Sequence, residues 1–192
     1  FLGGGITHGS LGYTRGYLKM GAALESADRV SGQDTRGSFD KWNLDLARVQ
    51  ATPLNNLSLF GRLSVQQAGK NLDSSEGFTI GGVNGVRAYP SGEGSGDEGW
   101  LAQFELRYAL GSFIPYIFYD AGYSRLNAAP GSLTKAPNPN DRSLAGEGLG
   151  LRYFLGEWSL DASVSWSSRG GKAQSDSLER NPRFWINLSL KL

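Results

Sequence analysis

The sequence predicts an all-β fold, an antiparallel transmembrane β-barrel of about eight strands, on three observations. Short segments alternate apolar and polar residues with a period of two. The connections between them alternate between short and long. No run approaches the roughly 18 apolar residues that a spanning helix needs. The 192 residues include 28 glycines and 11% aromatics, with Ser, Asn and Asp gathered between the alternating runs, a composition suited to strands joined by frequent turns. At 39% apolar residues and a mean hydropathy of −0.34, the chain is too polar for helical spans. A net charge of +1 argues against a nucleic-acid partner, and the lack of cysteine excludes a disulfide scaffold or a thiolate metal site.

The first strand, Leu2 to Tyr13, is weakly patterned. In the second, Trp42, Leu44 and Leu46 oppose Lys41, Asn43 and Asp45, and in the third, Leu57, Leu59, Leu63 and Val65 oppose Ser58, Phe60, Arg62, Ser64 and Gln66. The clearest strand runs from Trp100 to Leu110, with Trp100, Ala102, Phe104, Leu106 and Tyr108 on one face and Leu101, Gln103, Glu105 and Arg107 on the other. Phe113 to Tyr123 is the most apolar, which requires a tightly occupied lumen face. Leu149, Leu151 and Tyr153 then alternate with Gly148, Gly150 and Arg152, and Trp158, Leu160, Ala162, Val164 and Trp166 with Ser159, Asp161, Ser163 and Ser165. The last strand sets Phe184, Ile186, Leu188, Leu190 and Leu192 against Arg183, Trp185, Asn187, Ser189 and Lys191.

Thr52 to Asn56, Gly111 to Ser112 and Gly156 to Glu157 read as tight turns, whereas Thr14 to Ser38, Gly69 to Gly99, Asn127 to Ser143 and Ser167 to Pro182 are long and polar. Short periplasmic turns opposite long extracellular loops mark an outer-membrane barrel. A soluble sandwich or lipocalin-like barrel is the alternative, but it has no reason to segregate its loops in this way. Trp42, Trp100, Tyr108, Tyr123, Trp158 and Trp166 then read as interfacial belt residues on a lipid bilayer. Eight strands closed on themselves leave a lumen that side chains nearly fill. The 69–99 loop therefore lies outside, or these strands are part of a larger barrel. The opening residues show no basic n-region, apolar h-region or initiator Met, which reads as a piece of a longer protein.

The 69–99 loop is the most informative segment, since a long loop inside a compact barrel usually carries function. Val86-Arg87-Ala88-Tyr89 places one cation between apolar neighbours ahead of Pro90, which predicts a buried partner for Arg87. Gly92 to Gly99 reads as a flexible turn: its acidic residues would repel phosphate and no Lys-Ser/Thr follows. Glu93, Asp97 and Glu98 lack the spacing of a calcium loop, and a single histidine, His8, supports neither a catalytic triad nor a metal cluster. The reading is of a protein that is not an enzyme and uses no cofactor. The charged Thr14 to Phe39 segment reads as a solvated extracellular loop.

Gly81-Gly-Val-Asn-Gly-Val-Arg-Ala-Tyr-Pro, followed by Gly92-Glu, Gly96-Asp-Glu-Gly-Trp and Glu105-Leu-Arg, together with Phe118-Tyr-Asp-Ala-Gly122, resembles the outer-membrane transporters of two-partner secretion. These export haemolysins, filamentous haemagglutinins and related adhesins. The resemblance runs from Gly37 to the end of the chain. It implies a signal peptide, two periplasmic POTRA domains and a sixteen-stranded barrel with the arginine-bearing loop folded into the lumen, of which residues 1–192 are the C-terminal half. It further implies a secreted exoprotein partner, insertion by the barrel-assembly machinery, and an outer-membrane location. The motif arginine maps onto Arg87 and the strand aspartate onto Asp120, so that the resemblance implies an Arg87–Asp120 pair.

Strand parity agrees, placing Asp120 with Tyr116, Phe118 and Gly122 on the lumen side. Glu105, on the polar face of the neighbouring strand, is a second acceptor. Val86 and Phe118 belong to the motifs, Gly122 permits close approach of the loop, and Tyr89 with Pro90 stiffens the tip. Ala88 departs from the family's usual glycine, at a cost if that position needs a positive φ. Leu192 departs from the usual terminal aromatic, with Phe184 and Trp185 further up the strand, implying either weaker recognition by the insertion machinery or a terminus beyond this segment. An assembly or insertase barrel of the same superfamily is the alternative function. An outer-membrane enzyme and a diffusion porin are more distant ones.

Overall fold

The structure, a computed structural model, describes residues 4–30, 32–133, 135 and 137–191. Phe1 to Gly3, at the head of the first expected strand, and Leu192 lie outside the described residues. Eight long strands, β1 (Gly5–Leu18), β2 (Gly37–Ala51), β3 (Leu57–Ala68), β6 (Glu98–Tyr108), β7 (Phe113–Arg125), β8 (Asp141–Leu155), β9 (Trp158–Arg169) and β10 (Arg183–Leu190), form one antiparallel sheet in that order. Two short strands, β4 (Phe78–Thr79) and β5 (Ser95–Gly96), pair with each other at the neck of the long loop. The large sheet is open, with β1 and β10 as its edges.

The tight turns follow from local chemistry. Gly111 and Gly156 adopt φ of 58° and 57° at the first position of two-residue hairpins, where the primed turns that suit strand twist require a positive φ. Leu110 and Phe113 close the first of these by exchanging two backbone hydrogen bonds of 2.8 and 3.0 Å. Several strands run further than apolar alternation predicts. β1 continues to Leu18, while β8 begins at Asp141 and β9 ends at Arg169. These extensions pair as ladders beyond the apolar band, where the pattern no longer needs to alternate. Tyr13 meets Trp42 across the β1–β2 pair, ring centroids 4.7 Å apart.

The expected solvated loop between β1 and β2 instead contains a helix, α1 (Ala22–Val30), none of whose residues is buried. Ala22, Ala23, Leu24, Glu25 and Ala27 are strong helix formers. The Asp28 carboxylate holds the following turn by accepting the backbone N–H groups of Thr35 and Arg36 at 2.8 and 3.1 Å. No described helix is long and apolar enough to cross a membrane.

The two faces of the sheet differ sharply. Phe104 and Ile117 remain 59% and 58% exposed, and Leu59, Tyr119, Leu149, Leu151, Phe184, Ile186 and Leu188 share that outer face in the open. A soluble sandwich would bury such a surface against a second sheet. The other face carries Gln66, Gln103, Glu105, Asp120 and Ser165, all buried, and onto it folds the loop between β3 and β6. The small apolar core, Ile80, Val86, Ala88, Tyr89, Leu101 and Leu144, is where that loop meets the strands.

Candidate functional site

The loop tip forms a compact knot before it touches the sheet. The N–H of Val86 donates to the Ile80 carbonyl at 2.7 Å, that of Tyr89 to Val86 at 3.0 Å, and that of Gly81 to Glu93 at 2.9 Å. Val86 and Ile80 are fully buried and Tyr89 nearly so, with the Tyr89 hydroxyl donating to the carbonyls of Arg169 and Gly171 at 2.8 and 2.9 Å. These bonds shape the knot, the Gly85 carbonyl accepts from Gln103 Nε2 on β6 at 2.9 Å, and the charged side chain presented to the lumen face of β6 and β7 is Arg87.

Arg87 meets Asp120 as a fork. Its Nε donates to Oδ2 and its Nη2 to Oδ1, both at 2.8 Å, while its backbone N–H donates to Oδ2 at 3.1 Å. Nη1 donates to Glu105 Oε1 at 2.7 Å. The guanidinium carbon lies 3.6 Å from the centroid of the Phe118 ring, a cation–π contact from the same strand that carries Asp120. Parity on β7 brings this about: Tyr116, Phe118, Asp120 and Gly122 are buried on the loop side while Ile117 and Tyr119 face outward. A planar fork on a carboxylate fixes orientation as well as position.

Gly122 permits close approach, and what it admits is the Ile80 side chain: a Cβ at 122 would stand 3.0 Å from Ile80 Cβ. Ala88 is not among the residues with positive φ, so its methyl carries no backbone penalty. The methyl is received by Gly146 on β8, where an added Cβ would lie 2.5 Å from that of Ala88. The departure from glycine in the loop is matched by glycine in the strand beneath it.

Residues that sequence reading did not single out extend the site. Glu105 also accepts from Arg107 Nε at 2.7 Å and from Arg152 Nη1 and Nη2 at 3.0 and 3.2 Å. Arg152 passes on to Asp161 at 2.8 Å, which accepts the Tyr116 hydroxyl at 2.6 Å. The three guanidiniums of Arg87, Arg107 and Arg152 thus face the three carboxylates of Glu105, Asp120 and Asp161. Each lies on the polar parity of its strand or on the loop, a signal that could have found Arg152 and Asp161. Beside them is a polar cavity of about 210 Å³, lined also by Asn84, Ser163 and Asn187.

The segment Gly92 to Gly99, expected to be a flexible turn, is instead pinned. The Glu93 side chain is fully buried and accepts from Arg142 Nη2 at 2.6 Å, from the N–H groups of Gln174 and Ser175 at 2.9 and 2.8 Å, and from the Ser175 hydroxyl at 2.8 Å. Burial pushes its pKa up, but these donors outweigh it and hold the carboxyl below the ordinary glutamate range. Asp97 accepts the Ala128 N–H at 2.9 Å, and burial raises its pKa. Glu98 pairs with Arg125 at 2.6 Å. With separate protein partners, these carboxylates do not converge on a cation site. Glycine density suggested freedom; the partners lie 27 to 82 residues away in sequence, beyond any local pattern.

An open antiparallel sheet with a greasy outer face, and a polar face filled by its own anchored loop, defines a set of strands from an outer-membrane β-barrel. A family model described as haemolysin secretion/activation protein ShlB/FhaC/HecB matches residues 1–153, and the chain belongs to that family. The heme/hemopexin transporter protein HuxB of Haemophilus influenzae is 28% identical over 190 residues, covering 96% of this chain and 33% of its own length. Among solved structures, CdiB from Escherichia coli superposes with a TM-score of 0.70 at 17% identity over 96% of this chain and 33% of its own. CdiB from Acinetobacter baumannii gives 0.51 at 22% identity over 80% and 33%. The two CdiB structures share the fold. The chain spans about a third of the length of the relatives it matches.

Proposed function

We propose that this chain is the C-terminal barrel portion, the last eight of sixteen strands, of a transporter that passes a partner exoprotein of the haemolysin, haemagglutinin or adhesin type across the outer membrane through its lumen. Periplasmic POTRA domains would precede the barrel, and the barrel-assembly machinery would insert it. The 69–99 loop occupies the lumen, and the Arg87 fork on Asp120 sets its position. The observation that carries this reading is that fork: a buried guanidinium on a loop, held by two carboxylates of the strand wall, is a device for fixing a plug. Family membership and the relatives named for transport support secretion over the assembly alternative.

The test uses the full-length protein in its own outer membrane. Arg87→Ala and Asp120→Ala should each reduce exoprotein in the medium by about tenfold or more, since losing one partner of a buried pair costs about 3–5 kcal/mol. Membrane level and heat-modifiable migration should stay unchanged. Normal secretion by both variants would overturn the proposal.

A further inference from the structure

The loop tip is held from a second side by residues that the ion-pair network does not use. The Arg87 carbonyl accepts the Ser165 hydroxyl at 2.7 Å and the Trp185 indole Nε1–H at 2.7 Å. Both lone pairs of that oxygen are therefore occupied. Ser165 lies on β9 and is fully buried, while Trp185 lies on β10. The side chain of Arg87 is thus held on β6 and β7, and its carbonyl on β9 and β10. Between them β8 lies beneath the tip, with Gly146 under the Ala88 methyl and Leu144 in the apolar core, so the tip spans five strands and its polar contacts fall on the two outer pairs.

Trp185 is out of character where it stands. Its strand neighbours on the same face are Arg183, Asn187 and Ser189, and the apolar residues Phe184, Ile186, Leu188 and Leu190 point the other way, largely exposed. An indole among polar lumen residues is explained by the one thing it offers there, an N–H donor at the end of a long rigid arm. Both residues lie outside the 1–153 segment that the family model matches. β10 pairs only with β9 here and is the C-terminal edge of the sheet.

We propose that Ser165 and Trp185 are positioning residues for the motif loop, and that they couple its tip to the C-terminal strand. A displacement of β10 relative to β7 pulls on the carbonyl while the guanidinium stays fixed. The loop therefore reports the state of that strand, and releasing the indole loosens the tip without breaking the ion pairs. This proposal builds on the reading that the loop sits in the lumen, but its readout does not depend on secretion.

The experiment places a single cysteine at the exposed tip, Asn84→Cys, in full-length protein otherwise free of cysteine, and follows maleimide labelling in outer-membrane vesicles. Trp185→Phe keeps an aromatic ring and removes the donor. It should raise the labelling rate by about fivefold, the change expected from losing one hydrogen bond of about 1 kcal/mol. Ser165→Ala should act similarly and the double variant more strongly, whereas Ser165→Thr, which keeps the hydroxyl, should remain near wild type. Heat-modifiable migration should stay unchanged throughout. Labelling that stays at the wild-type rate in the double variant would overturn the proposal, as would a rise matched by loss of heat-modifiability, since that reports a damaged barrel. If Arg87→Ala secretes normally while Trp185→Phe still speeds labelling, the secretion reading fails and the positioning role stands.

Discussion

The motif loop is held at two places in opposite senses. At its tip a cation, Arg87, enters a pocket of carboxylates carried by strands. On its return arm an anion, Glu93, is capped by Arg142 and by backbone N–H groups of the segment that follows β9. The strand-borne acceptors are fixed by ladder hydrogen bonds on both sides, so the first anchor exists whether or not the loop is docked. The donors to Glu93 come largely from another loop and exist only when that loop is folded. One anchor is a feature of the wall, the other a mutual agreement between two loops.

Removing each anchor in turn gives the largest expected difference. Asp120→Ala takes three of the four hydrogen bonds from the Arg87 N–H groups and leaves the cation buried beside Glu105, a loss of about 3–5 kcal/mol. Hydrogen exchange on the full-length protein should then lose protection both across Ile80 to Tyr89 and at Gln174 and Ser175, because the return arm is pulled away with the tip. Glu93→Ala removes the acceptor for the N–H groups of Gln174 and Ser175, residues that water reaches, at about 1.5–3 kcal/mol for hydrogen bonds to a charged group. Its effect should be confined to Gln174, Ser175 and the return arm. Equal deprotection of the tip by both variants would show that the two anchors form one cooperative unit and would end the distinction.

The same contrast explains what was legible in the sequence. The sheet was readable because lipid on one side and a polar lumen on the other impose alternation, and because Gly111 and Gly156 mark turns that need positive φ. Arg87 and Asp120 were readable because their motifs resemble a known family, with parity agreeing for Asp120, and Glu105 because parity puts its charge on the polar face. Glu93 was not, since its partners at 174 and 175 belong to a connection with no period and Arg142 lies in the first residues of β8, ahead of the alternating segment. Helix α1 was missed because its apolar stripe, Ala23, Leu24, Ala27 and Val30, is short and lies open within a charged segment. Trp185 sat on the polar parity, but its partner, the Arg87 carbonyl, is 98 residues away and leaves no local pattern.

Acidity distinguishes the anchors more gently. Glu93 has a folded-state pKa below that of the unfolded chain, about 4.3 for a free glutamate. Its contribution is therefore fully present above that value and is lost as pH falls through the lower folded one. Asp97, raised by burial, works in the opposite sense: its contribution is present at low pH and lost as pH rises through the folded value. A spin label at Ala173→Cys should become more mobile as pH is lowered from 7 towards 3, and should lose that dependence in Glu93→Gln. A label at Ala128→Cys, beside Asp97, should not gain mobility over the same range. Parallel loosening at both positions would mean that general acid expansion, not Glu93, releases the return arm.

The smallest effect is expected at Glu98 and Arg125, which pair across the top of β6 and β7 at 2.6 Å. By distance alone this contact equals those of Arg87 and Glu93. It differs in exposure, the arginine side chain being 44% accessible, so water competes for both charges and the ordering of two long side chains offsets most of the gain. Arg125→Ala should change stability by less than about 1 kcal/mol and leave exchange at both anchors as in the wild type. If it instead released the return arm as far as Glu93→Ala does, charge rather than burial would be what holds the loop mouth. Glu93 would then be one of several interchangeable surface pairs, and the contrast between a wall-built anchor and a loop-built one would reduce to how many charges each end carries.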